Sequence, residues 1–117
     1  MIRISLDESY VFDLLSIYEV KLNHSSDSEK KIKLQQSYDT LSKEIVDAIG
    51  VELFTAILDS NEYAELRKSN RLVFDLVDRA GETELSKITA DANYTRYLNK
   101  VSLQHKFFNN ALTEVKI

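Results

Sequence analysis

The sequence predicts an all-α protein: an antiparallel bundle of four to five helices preceded by a short N-terminal extended arm. Three observations carry that expectation. The 117 residues include no proline and only two glycines, Gly50 and Gly81, far too few turn residues for a β-sandwich or an α/β fold. Apolar residues recur in alternating steps of three and four along most of the chain, the period of helices buried along one stripe. Capping signatures and the two glycines divide those stretches into segments of helical length. One helical domain spanning 1–117 is expected, with a core of its own and no metal or disulfide support.

The elements follow in order. Ile2, Ile4 and Leu6 alternate with Arg3 and Ser5, the pattern of a short extended arm. Ser5-x-x-Glu8 has the form of a capping box, which opens a first helix running to about His24. Val11, Leu14, Leu15, Tyr18 and Leu22 mark its expected buried face. Ser26-x-x-Glu29 repeats the capping form before a second helix, whose stripe is Leu34, Tyr38, Leu41, Ile45 and Ala48. Gly50 supplies a left-handed stop that other residues adopt only at a cost.

Val51–Leu58 is short and apolar, and predicts a brief helix over one end of the bundle. Asp59, Ser60 and Asn61 offer N-caps for a fourth helix with Tyr63, Leu66, Asn70, Val73, Val77 and Ala80 on its stripe. Gly81 is its expected C-terminal cap. The organising element is the last, Asp91 to Val115. Tyr94, Leu98, Val101, His105, Phe108, Leu112 and Val115 form one stripe there, suited to the spine of a bundle. Leu85 and Ile88 fall out of phase with it, which predicts a kink or break between Thr89 and Asp91.

Composition narrows function more by exclusion than by signal. There is no cysteine, hence no thiolate chemistry. The two histidines, His24 and His105, lack metal-ligand spacing. The start of the chain lacks a signal-peptide apolar core, and no apolar run approaches the roughly 20 residues of a membrane span. The expected address is the cytoplasm, without membrane contact. Net charge is −4, and residues 1–58 carry ten acids against six bases. That balance disfavours nucleic acid as a partner; the clusters Lys30-Lys31-Lys33 and Arg67-Lys68-Arg71 read as solvated faces.

The most chemical-looking pattern is Glu62-x-x-Glu65 with Asp75-x-x-Asp78. Paired acidic motifs of this kind hold Mg²⁺ on the helices of all-α nucleotide pyrophosphohydrolases, because hard cations need several oxygens on one side. At about 100° per residue the four carboxylates spread over most of the polar side of one helix. A solvated face is the expectation, and a Mg²⁺-dependent nucleotide or phosphosugar hydrolase the alternative. Asp13, Ser16 and Glu19 lie three residues apart on one side of the first helix and, with Lys21, make a candidate polar cluster. Such a cluster is either a small binding site or a hydrogen-bonded contact between helices. Asn70 and His105 sit in apolar stripes, where a polar residue more often fixes register than performs chemistry.

The run Asp13-Leu-Leu-Ser16-Ile17-Tyr-Glu19-Val20-Lys21 resembles the D-x-x-[ST]-I-x-E-[IV]-K signature of a family of short all-α proteins of unknown function, found in bacteria and some tailed phages. Leu66-x-x-x-Asn70, Phe74-x-x-x-Asp78 and the spacing of Asn99, Lys106 and Asn110 are similar to later parts of that family. The resemblance implies a helical fold and carries no known activity with it.

The resulting expectation is a non-enzymatic cytoplasmic protein that works through protein–protein interaction or self-association. No catalytic residue and no cofactor are expected, and weak nucleic-acid binding is the last alternative. Apolar surface left over on the terminal helix, at Tyr97, Leu103 and Phe107, predicts a homodimer with that helix and the arm at the contact.

Overall fold

A computed structural model describes residues 2, 4–78 and 85–112, with the side chains of 77, 78, 85, 86 and 88 outside the description. Five α-helices occur among the described residues: α1 Glu8–His24, α2 Ser28–Ile49, α3 Val51–Leu58, α4 Asn61–Asp78 and α5 Leu85–Phe108. The chain is an all-α helical bundle. Contacts between Phe12 and Tyr63 and between His24 and Asp75 set α1 and α4 parallel. Glu62 meets Lys106 while Ser69 meets Asn99, so α5 runs antiparallel to α4.

Local chemistry explains the boundaries. Asp27, rather than Ser26, caps α2, its carboxylate accepting from the amides of Glu29 at 3.0 Å and Lys30 at 3.5 Å. Ser5 caps nothing: α1 begins after Asp7, whose side chain makes no cap hydrogen bond, and the Glu8 carboxylate accepts instead from Gln104. Gly50 separates α2 from α3 at φ 90° and ψ 154°, a conformation open to glycine. Ser60 starts α4, its hydroxyl accepting from the Tyr63 amide at 3.1 Å and donating to the Ile57 carbonyl at 2.6 Å. Residues 2 and 4–7 precede α1 without regular secondary structure.

The core joins Phe12 and Leu15 of α1, Ile45 of α2, Ile57 of α3, Tyr63 and Leu66 of α4 and Leu103 of α5. Phe12 meets Tyr63 edge-on with centroids 6.1 Å apart and Phe54 at the same distance, a packing aromatic quadrupoles favour. Fully burying each such side chain contributes roughly 1.5–3 kcal/mol. The long α2 lies at one side, packing on α1 and α3, and only Ile45 is fully buried along it.

The terminal helix corrects the sequence reading in three ways. It runs unbroken through residues 89–91 and ends at Phe108, where Asn109 takes a left-handed turn at φ 53°. Leu112 therefore lies beyond the helix, and Val115 lies outside the described residues. The inward face is also different. Ala92, Lys100, Leu103 and Gln104 are buried, whereas Tyr94 and Leu98 are 52% and 44% exposed and His105 is exposed. Counted from Ala92, Ile88 and Leu85 are steps of four and three upstream, so no change of phase remains to force a break. Leu103, expected at an interface between copies, is wholly inside one chain. Phe107 packs against the same core.

Candidate functional site

Asp13 lies at the centre of the most connected polar group among the described residues. It is 3% exposed and faces α4 and α5 from α1. The Asn70 amide nitrogen donates to Asp13 Oδ1 at 2.7 Å and to Ser16 Oγ at 2.6 Å. Ser16 in turn donates to the Asp13 backbone carbonyl at 2.8 Å. Arg96 Nη2 donates to Asp13 Oδ2 at 3.0 Å, and Lys100 Nζ stands 4.0 Å from the same oxygen. Both hydrogens of the Asn70 amide and both oxygens of the carboxylate are thus engaged. A buried carboxylate is tolerated only when it is paired and hydrogen-bonded in this way.

The inward face of α5 carries further polar residues beside Ala92 and Leu103. Gln104 is fully buried; its carbonyl accepts from the Ser9 amide at 2.9 Å, and its amide nitrogen donates to Asn110 at 2.7 Å and Glu8 at 3.2 Å. The Ser9 amide belongs to the first turn of α1, where donors have no helical acceptor, so Gln104 completes that helix from across the bundle. Asn99 donates to the Glu65 carbonyl at 3.1 Å and to Ser69 Oγ at 3.2 Å. The Lys100 ammonium also lies 5.5 Å from the Tyr10 ring centroid, within cation–π range.

The expected cluster of Asp13, Ser16, Glu19 and Lys21 divides into three places. Asp13 and Ser16 come together. Glu19 sits further along α1, where it accepts from the Tyr38 hydroxyl at 3.1 Å and from Arg67 Nη1 at 3.4 Å. Burial, and then the Glu19 charge, push the Tyr38 phenol up to about 12. The same two causes raise the fully buried Tyr63 phenol, and Arg67 lies 5.6 Å above the Tyr63 ring centroid. Lys21 is exposed on the outside of the bundle.

Of the four acidic residues of α4, Glu62 and Asp75 are held apart by different partners. Glu62 pairs with Lys106 Nζ at 2.6 Å, a hydrogen bond that holds its carboxyl below the usual range. Asp75 pairs with His24 Nε2 at 3.2 Å. Thirteen positions separate them, about 20 Å along a helix. Glu65 is exposed, and the Asp78 side chain lies outside the described residues. Among those residues no group of three or more acidic, histidine or cysteine side chains is placed to hold a metal ion.

Sequence reasoning misses Arg96, Lys100 and Gln104. Their signal is a four-residue spacing continuing from Ala92, masked because cations and amides read as solvent-facing. Comparison with protein-family models, curated proteins and solved structures finds no match. Among the described residues no helix is long and apolar enough to cross a membrane.

Proposed function

We propose that this chain is a non-enzymatic helical protein that acts by associating with a second copy of itself, and that the Asp13–Asn70–Arg96 group is the register lock of its fold. The observation carrying this reading is an apolar surface on the outer edge of α1 and the segment before it. Ile2 is 91% exposed and Ile4 71%, followed by Leu6, Tyr10 and Leu14. This surface leads into a groove of about 320 Å³ between α1 and α2, where Leu6, Tyr10 and Leu14 face Leu41, Ala48 and Ile49. Contiguous apolar surface of this kind marks an interface, and a two-fold pair buries the same patch on both subunits.

The contact therefore moves from the terminal helix to α1, because Leu103 and Phe107 are used within the chain. The acids of the candidate polar cluster and of the candidate metal set support the same view, since Asp13, Glu19, Glu62 and Asp75 are each already paired with a cation or histidine. Light scattering during size-exclusion chromatography tests the location. Leu6→Glu combined with Leu14→Glu is expected to elute as monomer with undiminished helicity, and a variant assembling like the parent chain contradicts the assignment.

A further inference from the structure

The fold carries two basic clusters that are distant in sequence to opposite sides of one residue, His24. On one side a hollow of about 480 Å³ opens between the end of α1, the first turns of α2 and Phe74 of α4. Lys21, Lys30 and Lys33 are exposed around it, and the half-buried Leu34 and Phe74 give it an apolar floor. No carboxylate is among the described residues that line it. On the other side a hollow of about 490 Å³ carries Arg67, Lys68 and Arg71 against a single acid, Glu65. His24 lines both, with its ring 4.7 Å from that of Phe74. Its Nδ1 is 2.8 Å from the Val20 carbonyl and its Nε2 3.2 Å from Asp75, so the ring is fixed between the hollows.

Six cationic side chains therefore converge on one surface of a protein whose net charge is −4. Each cluster alone reads as a solvated face. Joined, they form a track broken by an aromatic floor, and the two parts ask for different chemistry. Ammonium and guanidinium groups neutralise phosphates, whereas a recessed ring at the base of a hollow accepts a planar base by stacking. A duplex keeps its bases stacked inside and presents phosphates alone, so the floor selects for unpaired bases. Two cationic rims flanking one floor suit a strand with phosphates on both sides of a base.

We propose that this double hollow binds single-stranded nucleic acid, with one base seated against Phe74 and its flanking phosphates on the Lys30–Lys33 and Arg67–Arg71 rims. The site is independent of the apolar groove, which lies towards the opposite ends of α1 and α2. Fluorescence anisotropy with labelled single-stranded 12-mers of DNA and RNA, a duplex of the same sequence and ATP tests it. A single strand is expected to bind at micromolar concentration, more tightly than duplex or ATP, with affinity falling steeply as salt rises because counterions are released.

Lys30→Ala with Lys33→Ala is expected to weaken binding about tenfold or more and to flatten the salt dependence by roughly 0.7 for each phosphate no longer neutralised. Phe74→Leu is expected to weaken it by about fivefold or more with the salt slope unchanged. Lys43→Ala, an exposed lysine elsewhere on α2, is expected to bind like the parent. Circular dichroism checks that Phe74→Leu keeps its fold; the lysine variants alter only exposed side chains. Absence of strand binding, equal affinity for duplex, ATP binding as tight as a 12-mer, or unchanged affinity in the lysine pair overturns the proposal.

Discussion

The Asn70 amide nitrogen lies 2.7 Å from Asp13 Oδ1, joining α4 to α1 across 57 positions of sequence. Both residues are buried. Truncating either partner therefore exposes the other's unmet demand inside the protein, where that demand is most costly. Asp13→Ala leaves the Arg96 guanidinium without its carboxylate and is expected to cost about 3–5 kcal/mol. Asn70→Ala leaves Asp13 Oδ1 and Ser16 Oγ short of a donor and is expected to cost roughly 1–3 kcal/mol. Urea denaturation measures both, and losses under about 0.5 kcal/mol, the level of ordinary surface changes, contradict the role assigned to the pair.

The orientation of α5 has its own test. Leu103 is wholly buried, whereas Leu98 is 44% exposed. Leu103→Ala is expected to cost about 2–5 kcal/mol through reduced burial and the cavity left behind. Leu98→Ala is expected to stay within about 0.5 kcal/mol. The opposite order of denaturant midpoints restores the Tyr94–Leu98 stripe as the buried face.

Gly50 offers a test free of packing. A Cβ added there meets no atom within 4 Å, so any loss comes from the backbone conformation, φ 90° and ψ 154°. Gly50→Ala is expected to cost about 1–3 kcal/mol, read as a lower midpoint in urea. A neutral result means the α2–α3 junction adopts another geometry.

Stability should fall in alkali as the Tyr38 phenol loses its proton. Tyr38 has its folded pKa raised from 10.0 to about 12, so the folded state holds the phenolic proton more tightly than the unfolded chain does. The stabilisation linked to that proton is complete below pH 10 and is lost as pH rises from 10 towards 12. Tyr63 shifts in the same direction and adds to the decline. Denaturation midpoints across that range measure it, and Tyr38→Phe is expected to flatten the curve in part. A parent curve level through this window contradicts the part-buried Tyr38–Glu19 contact.

The elements legible in the sequence are those where apolar period and burial coincide. Val51–Leu58 has the bounds its composition predicts, and Tyr63, Leu66 and Asn70 share the inward side of α4 as their spacing predicts. The faces of α1 and α5 are not legible. On α1 the buried set includes Ser9, Asp13 and Ser16, and on α5 it includes Lys100 and Gln104. Apolar residues are exposed without great cost, but a polar residue is buried only where a partner waits on another helix. Which partner that is remains a tertiary fact that local spacing does not name. Spacing pairs Asp13 with Ser16, yet their true partners, Asn70 and Arg96, stand 57 and 83 positions from Asp13. The two basic clusters look unrelated in the sequence for the same reason.

Sedimentation equilibrium of the whole chain across micromolar concentrations tests self-association most directly. The expected result is a concentration-dependent rise from the 13.5 kDa chain mass to twice that value, abolished by Leu6→Glu with Leu14→Glu. A single species at 13.5 kDa throughout the range contradicts it.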